Sequence, residues 1–334
     1  MKLKVFYAGS PEPSAAVLEH LINAADENAG NSWEIVGVLT NPPSAKKRSS
    51  ALIPTAVSQI AESHGIPVFS PEHLDGAFRA AIEPLKADIF VCFDYGHIFG
   101  PKFLSMFHLG GVNMHPSLLP KYRGCTPVPA AILNGDEKTG VSIQKIALAI
   151  DEGDILDSAE IALDGTETTE SLMATDGKVV QAGKKMLADL LFSIAKSEKD
   201  GEFSIPEGKK QTGEASYTPF IQKTDGKIDW NCTASEIERK IRAYTPWPSC
   251  FTQNGGKELK ILQAHVFSGD ISALGDFESK ANGAVIAVKK DDGILIKCAD
   301  GFLSATILQW QAKKAADFKS FANGARDFVG SVCV

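Results

Sequence analysis

Short apolar runs alternate with segments of helical period through the first 115 residues, and this pattern restricts the possible folds more than any other feature. The runs include KVFYAG, WEIVGVLT, ADIFVCF and GVNMH, and they are separated by segments such as PSAAVLEHLINAA. Apolar runs of about four to eight residues between helices are typical of a parallel sheet that is buried on both faces. We therefore predict an α/β domain with a doubly wound, mainly parallel, Rossmann-like sheet.

The pattern changes after residue 154, where a long amphipathic helix is predicted over 167–197. The segment 201–220 is rich in Gly, Ser, Thr, Pro and Lys, which is the composition of a linker. Short strand-like segments joined by Asp-Gly and Asn-Gly turns follow, and they predict a small β-barrel of the OB-like type. The predicted organisation is an N-terminal domain at 1–200, a linker at 201–220 and a C-terminal barrel at 221–334.

Length and composition argue against several classes of protein. A chain of 334 residues is longer than one hydrophobic core usually organises, which favours two domains. No run of about 20 apolar residues is available to span a bilayer, and the run VFYA near the start is too short for a signal peptide. The six cysteines form no CxxC pair or Cys/His cluster, so neither a zinc site nor a disulfide framework is indicated. We expect a cytoplasmic protein that binds no metal and no membrane.

Charge is distributed unevenly along the chain. The net charge is -7, yet residues 1–205 carry 17 Lys and Arg against 26 Asp and Glu, whereas residues 206–334 carry 17 against 15. This chain is not basic enough to bind nucleic acid by its total charge, so a nucleic-acid partner would have to be bound by local patches. Ordinary scatter of surface charge is the alternative explanation.

The loop after the first strand, YAGSPEP, does not suit a dinucleotide. Such loops carry the pattern GxGxxG, in which glycines allow the backbone to approach a pyrophosphate. This loop has one glycine, and its two prolines remove backbone donors. A nicotinamide cofactor is therefore not expected.

Asn113, His115 and Asp151 supply complementary chemical groups near strand ends. Asn113 and His115 are two residues apart on a predicted strand, so their side chains face the same way, and Asp151 ends the next apolar run, SIQKIALAI. Singly, each has an ordinary structural explanation. Together they offer a donor for a developing oxyanion, a group that titrates near neutrality and a carboxylate to orient it. Because no motif for covalent catalysis accompanies them, direct transfer to an incoming nucleophile is predicted.

The segment NMHPSLLPKYRG, with the distal Asp of AIDEGDIL, resembles the formyltransferases that use 10-formyltetrahydrofolate. Within that family, YAGSPEPSAAVLEHL, GIPVFSPEHL, DYGHIFGPKFL and KIDWNCTASEIERKIRAYTPWPS are similar to segments of the branch that acts on methionyl-tRNA. The resemblance covers nearly the whole chain. It implies transfer of a formyl group from 10-formyltetrahydrofolate to the amino group of initiator methionyl-tRNA, which gives N-formylmethionyl-tRNA for translation initiation, by a monomer.

The resemblance also implies roles for individual residues. Asn113, His115 and Asp151 match the family's catalytic residues. Gly96 matches a glycine that lines the pterin pocket. The residues that match the folate-binding loop are Ser117, Leu118, Leu119 and Pro120.

Two regions are implied to bind tRNA. One is the C-terminal barrel. The other is the basic segment with Lys46, Lys47 and Arg48, which stands where bacterial members usually carry a Gly-Arg-Gly-Lys-Lys type of sequence. This chain keeps the basic character of that loop but lacks its glycines.

Three other functions stay open on the sequence alone. A formyltransferase that acts on a sugar nucleotide or another small amine would keep Asn113, His115 and Asp151 but would need no basic barrel. A non-enzymatic RNA-binding protein would keep the barrel but has no use for those three residues. A folate-linked hydrolase would use water as the acceptor.

Overall fold

The computed structural model describes residues 1–27, 32–45, 51–272 and 274–334. The chain forms two compact units. The first unit contains residues 1–127, 138–162 and 171–219. The second unit contains residues 128–137, 163–170 and 220–334.

Strands occur throughout both units. They are β1 (Leu3–Ala8), β2 (Trp33–Leu39), β3 (Ser44–Ala45), β4 (Leu52–Ile53), β5 (Val68–Phe69), β6 (Ile89–Cys92), β7 (Gly111–His115), β8 (Arg123–Gly124), β9 (Lys138–Lys145), β10 (Ile155–Ala162), β11 (Tyr217–Thr218), β12 (Cys250–Asn254), β13 (Lys257–Val266), β14 (Val285–Lys289), β15 (Gly293–Lys297), β16 (Phe302–Trp310) and β17 (Ala316–Asp317).

The α-helices connect these strands. They are α1 (Glu12–Glu27), α2 (Ala56–Ser63), α3 (Gly76–Ile82), α4 (Pro101–Leu104), α5 (Pro127–Leu133), α6 (Thr169–Met173), α7 (Lys178–Lys196), α8 (Ala234–Ala243) and α9 (Phe318–Gly324). Across the described ranges, no helix has the length and apolar character needed to cross a membrane.

The main sheet of the first unit has the strand order β10-β9-β7-β6-β1-β2-β5. The five strands from β5 to β7 in this order run parallel to one another. At the other edge, β9 is antiparallel to β7 and β10 is antiparallel to β9. The prediction of a mainly parallel α/β sheet is therefore confirmed, and the two antiparallel strands are an addition that the apolar pattern did not indicate.

One face of this sheet is covered by an aromatic cluster. Phe90 on β6 lies at its centre, with ring centroids 4.7 Å from Phe99, 5.0 Å from Phe103, 5.3 Å from Phe107 and 6.3 Å from Phe6. Phe90 is fully buried. Edge-on and offset ring contacts at these separations stabilise a core beyond the area that they bury.

The other face is covered by α1 and α7, which also pack against each other. Met114 on β7 lies against α7 at Gly183. Because successive side chains of a strand point to opposite faces, Asn113 and His115 lie on the face away from α7. The packing of α7 thus fixes the strand that carries two of the predicted site residues.

The predicted helix over 167–197 is two helices, α6 and α7, and the prediction of a continuous helix was wrong. The chain turns between them, where Gly177 N donates to Ala174 O at 2.8 Å. A Cβ atom at Gly177 would lie 2.4 Å from Leu172 O and 2.5 Å from Ser171 O. Such close approach requires glycine, and Gly177 is the N-cap residue at which α7 begins.

The second unit contains an antiparallel sheet of order β12-β13-β16-β15-β14. The C-terminal residues join its two edge strands: Asn254 on β12 bridges Cys333, and Ala284 next to β14 bridges Val332. The sheet is therefore closed, as expected for a small barrel. The spacing of Thr233 and Glu236 predicts a capping box at the start of α8, and the structure confirms it.

The units differ in extent from the predicted domains. Residues 201–219, whose composition predicts a linker, belong to the first unit, where β11 pairs with β8. Two segments that precede residue 200 in the chain belong to the second unit, where Arg239 Nε donates to Leu133 O and Arg242 Nη1 donates to Glu167 O. Composition could not indicate which unit these segments belong to, because their assignment depends on contacts between residues far apart in sequence.

Truncating the central aromatic ring should destabilise the first unit. We expect Phe90→Ala to lower the free energy of unfolding by about 3–5 kcal/mol, because it removes a fully buried ring and leaves a cavity. Urea denaturation followed by tryptophan fluorescence would measure the change. Leu52→Ala is the control, because Leu52 is 67% exposed. Equal midpoints for the two variants would contradict the assigned core.

Candidate active site

A polar face is built by the pairing of β7 with β9. Asn113 is paired with Gln144, and His115 is paired with Ser142. Residues directly opposite each other in an antiparallel pair lie on the same face of the sheet. Four polar side chains therefore share one surface, and three of them, His115, Ser142 and Gln144, are buried.

Asp151 lies in the loop between β9 and β10, and its carboxylate is held from several sides. Gln144 Nε2 donates to Oδ1 at 2.7 Å, and the backbone N–H of Gly124 donates to Oδ2 at 2.8 Å. Asn113 Nδ2 lies 3.5 Å from Oδ1, and His115 Nδ1 lies 3.6 Å from Oδ2. The three residues predicted from sequence therefore meet in one place.

The backbone of this loop has little freedom. Asp151 has a φ of 54°, in the left-handed region that Asp tolerates better than most residues. A Cβ atom at Gly153 would lie 1.6 Å from Lys145 O, so only glycine allows the loop to pass so close to β9. These constraints fix where the Asp151 carboxylate can point.

His115 is oriented by its second ring nitrogen. Its Nε2 lies 2.8 Å from the backbone oxygen of Tyr122, and because a carbonyl oxygen only accepts, Nε2 carries the hydrogen. Burial lowers the pKa of His115 from its usual value, although the nearby Asp151 acts in the opposite direction. A neutral His115 therefore presents an unprotonated Nδ1 towards Asp151.

The loop with Ser117, Leu118, Leu119 and Pro120 is held by a local hydrogen bond and by Ser142 of β9. Ser117 Oγ donates to Lys121 O at 2.6 Å, Ser142 Oγ donates to Ser117 O at 2.7 Å, and Leu119 N donates to Ser142 Oγ at 3.1 Å. Ser117 and Leu119 are buried. These contacts fix the path of the chain from His115 to Tyr122, whose carbonyl holds the His115 ring.

Gly96 lies in the loop that follows β6, the strand next to β7 in the sheet. It has a φ of 84°, and no atom comes within 4 Å of the position of a Cβ atom there. Asn41 holds the residues on both sides of Gly96: its Nδ2 donates to Tyr95 O at 3.2 Å, and its Oδ1 lies 2.7 Å from His97 Nε2. Gly96 is thus presented on an open, braced loop. Its predicted contact with a pterin stays a prediction.

Lys46, Lys47 and Arg48, the residues predicted to bind tRNA, lie outside the described residues. The strands on either side of residues 46–50, β3 and β4, pair in antiparallel fashion. The predicted role of the three cations stays a prediction.

Several residues of this site were not predicted from the sequence. They are Gln144, Ser142, the backbone groups of Tyr122 and Gly124, and Gln211, whose Nε2 donates to Asp151 O at 2.7 Å. A signal for two of them was present, since Ser142 and Gln144 are polar residues two apart that alternate with the apolar Val141 and Ile143. Gln211 lies in a segment of linker-like composition, which gave no signal.

The arrangement offers the groups that acyl transfer to an amine requires. Within the described ranges, no group of three or more His, Cys, Asp or Glu is placed to hold a metal ion. The site instead combines the amide donor of Asn113 with two acceptors, His115 Nδ1 and the Asp151 carboxylate. A donor for a developing oxyanion and acceptors for a proton are what attack by an amine on a carbonyl carbon requires.

Fold and site together define an α/β enzyme for direct group transfer that carries a C-terminal barrel. Residues 1–190 match the family model of the formyl transferases, and residues 220–326 match the model of the formyl transferase C-terminal domain. The chain therefore belongs to the formyl transferase family.

Relatives and solved structures agree with this family. A methionyl-tRNA formyltransferase from Treponema denticola is 38% identical over 336 residues, which cover 98% of this chain and 98% of that protein. Two solved structures show the same fold at lower identity. Methionyl-tRNA formyltransferase from Clostridium thermocellum matches with a TM-score of 0.54 at 16% identity, over 80% of this chain and 95% of that one. HypX from Aquifex aeolicus in complex with tetrahydrofolic acid matches with a TM-score of 0.61 at 14% identity, over 98% of this chain and 48% of that one.

The protonation state of His115 can be tested directly. We expect its imidazole to titrate below pH 6.5, because burial disfavours the charged ring. Asp151→Asn should lower the midpoint further, since the negative charge that favours protonation is removed. The ring nitrogen shifts in 15N NMR spectra would report both values. Asp154→Asn, which changes a neighbouring carboxylate bound to Lys210, is the matched control. A midpoint that rises in Asp151→Asn would contradict the assigned contact.

Proposed function

We propose that this chain transfers the formyl group of 10-formyltetrahydrofolate to the free amino group of initiator methionyl-tRNA. The product, N-formylmethionyl-tRNA, serves translation initiation. The observation that carries this proposal is the meeting of Asn113, His115 and Asp151 on the polar face of β7 and β9, in a chain that belongs to the formyl transferase family over both units. The methionyl-tRNA formyltransferase of Treponema denticola, similar over 98% of this chain, supports the choice of acceptor.

The folate supplies the formyl group, and the protein's own groups handle charge and protons. The methionyl amine attacks the formyl carbon with its lone pair, a C–N bond forms, and the bond to the folate nitrogen breaks. Negative charge gathers on the formyl oxygen during attack, and the Asn113 amide is placed to donate to that oxygen. The amine must lose one proton, and the leaving folate nitrogen must gain one.

In this proposal, His115 and Asp151 take the proton of the amine. His115 Nδ1 and Asp151 Oδ2 are 3.6 Å apart, and both accept hydrogen bonds when His115 is neutral. Once Nδ1 holds the proton, the imidazolium lies against the Asp151 carboxylate, which stabilises it. The contact of Nε2–H with Tyr122 O keeps the ring in one orientation through both states. The pH dependence of turnover would distinguish which of the two groups binds the proton first.

The loops beside these residues have the character that a flat, partly apolar ligand requires. Ile98, two residues after Gly96, is 72% exposed. Leu148 and Ile150, just before Asp151, are 66% and 52% exposed. Exposed apolar residues at a polar site commonly mark a ligand surface. We propose that these loops and the Ser117 to Pro120 segment bind the folate.

We further propose that the second unit and the cations Lys46, Lys47 and Arg48 bind the tRNA. Residues 220–334, which form the largest part of the second unit, carry 15 Lys and Arg against 13 Asp and Glu, and this local charge supports the first part. The second part rests on the resemblance, since family members usually carry a basic segment at this place in the chain. We also propose that the chain acts as a monomer in the cytoplasm. Its six cysteines are free thiols, as in a reducing compartment.

The proposal is tested by incubation with labelled 10-formyltetrahydrofolate and charged tRNA. Initiator methionyl-tRNA should be formylated, whereas elongator methionyl-tRNA should not. Parallel reactions contain an amino sugar nucleotide, or no acceptor at all. Transfer to the amino sugar, or release of formate without tRNA, would instead support a small-amine formyltransferase or a hydrolase.

Removing the amide donor should impair the chemical step. We expect Asn113→Ala to lower kcat by about 100- to 1000-fold with little loss of stability, because the variant has no amide to donate to the oxyanion. Gln59→Ala, which removes an exposed amide from α2, is the control. Steady-state kinetics with charged tRNA would measure the effect. Full activity of Asn113→Ala would exclude this donor.

Removing the three loop cations should weaken tRNA binding. We expect replacement of Lys46, Lys47 and Arg48 by alanine to raise KM for tRNA and to flatten its salt dependence by roughly one unit of log-log slope for each phosphate that the loop no longer binds. Folate binding should be unchanged. The control replaces three cations of α7, Lys184, Lys185 and Lys196, which gives the same change in charge. Equal salt slopes in the two triple variants would show that the loop makes no specific contact.

A further inference from the structure

The segment 209–218 packs along the loop that carries Asp151. At one end, the backbone of Lys209 exchanges two hydrogen bonds of 2.8 Å with Ile155, the first residue of β10. At the other end, Tyr217 and Thr218 pair with Arg123 and Gly124. The segment is therefore fixed at both ends to the elements that flank the Asp151 loop.

Between these ends, the side-chain amide of Gln211 reaches the Asp151 loop. Its Nε2 donates to Asp151 O at 2.7 Å and to Gly153 O at 2.8 Å. Its Oε1 accepts from Arg123, at 3.1 Å from Nε and 2.8 Å from Nη2. Both hydrogens on Nε2 therefore take part in hydrogen bonds, and Oε1 acts as an acceptor.

Arg123 is itself held in place on its other side. Its Nη1 donates to Glu152 Oε1 at 2.8 Å and to Tyr217 OH at 2.7 Å. The next residue, Gly124, donates its N–H to Asp151 Oδ2. Gln211 and the Arg123–Gly124 strand therefore hold Asp151 at different points: Gln211 binds its carbonyl, and Gly124 binds its carboxylate.

These contacts stabilise a conformation that the loop does not favour by itself. The backbone of Asp151 lies in the left-handed region, and a non-glycine residue keeps such a conformation only where its surroundings fix it. A single amide that donates to the carbonyls of residues 151 and 153 fixes the turn between them. Glutamate offers no donor to these carbonyls, so the residue type is matched to the two acceptors.

We infer that Gln211 is a positioning residue for Asp151, and that the segment 209–218 is part of the catalytic centre. The inference rests on the proposed function, since it assigns Gln211 to the same reaction. Gln211 acts through the orientation of the Asp151 carboxylate relative to His115 Nδ1. A displacement of about 1 Å in a catalytic group can lower a rate by about 100-fold.

The test uses two variants of the full chain. Gln211→Glu keeps the size of the side chain and an acceptor for Arg123 but removes both donors, and Gln211→Met removes the donors without adding a charge. We expect kcat to fall by about 100-fold in both, with KM for folate and for tRNA within about twofold of the parent. Gln181→Glu is the matched control, because Gln181 also donates its amide to a backbone carbonyl, that of Thr175.

A second measurement does not depend on activity. The 15N shifts of the His115 ring should change in both Gln211 variants, because Asp151 moves relative to Nδ1, and should stay unchanged in Gln181→Glu. If the parent does not formylate charged tRNA, the proposed function fails while these shifts still decide the inference. Parental kcat with unchanged His115 shifts would overturn the inference. Loss of folding in both Gln211 variants would also overturn it, since Gln211 would then be structural.

Discussion

The antiparallel pairing of β9 with β7 is the constraint on which the site depends. It places Gln144 opposite Asn113 and Ser142 opposite His115. Gln144 then holds the Asp151 carboxylate, and Ser142 holds the loop after His115. A shift of one residue in this register would turn Ser142 and Gln144 to the other face of the sheet. The geometry of the site is therefore set by strand pairing before any ligand binds.

The hydrogen bonds of this network matter for stability because the polar groups that form them are buried. His115, Ser142 and Gln144 are buried, and a buried polar group without a partner would destabilise the fold. The network satisfies these groups and at the same time fixes the orientation of the His115 ring and of the Asp151 carboxylate. Burial also keeps His115 neutral, so its Nδ1 can accept a proton. The same low-dielectric surroundings thus serve stability and the proposed proton transfer.

The path of the chain between the units bears on function as well. Residues 201–219 return to the first unit, and they bring Gln211 to the Asp151 loop and Tyr217 to Arg123. A segment that looks like a linker by composition therefore contributes to the centre where formyl transfer is proposed. Both units match family models of the formyl transferases, and the proposed roles of single residues rest on the geometry described above.

The sequence by itself determined the class of the first unit and three candidate residues of its site. Apolar runs between helical segments encode a buried sheet, and the two-residue period of a strand puts Asn113 and His115 on one face. Local pattern carries no direction for an apolar strand, so the antiparallel course of β9 was not predicted. Gln211 is 60 residues from Asp151 in sequence, and a hydrogen bond over that separation depends on how distant segments pack. Only the tertiary structure could place Gln211 against Asp151, because periodicity indicates which face of an element a residue occupies but not which distant residue it contacts.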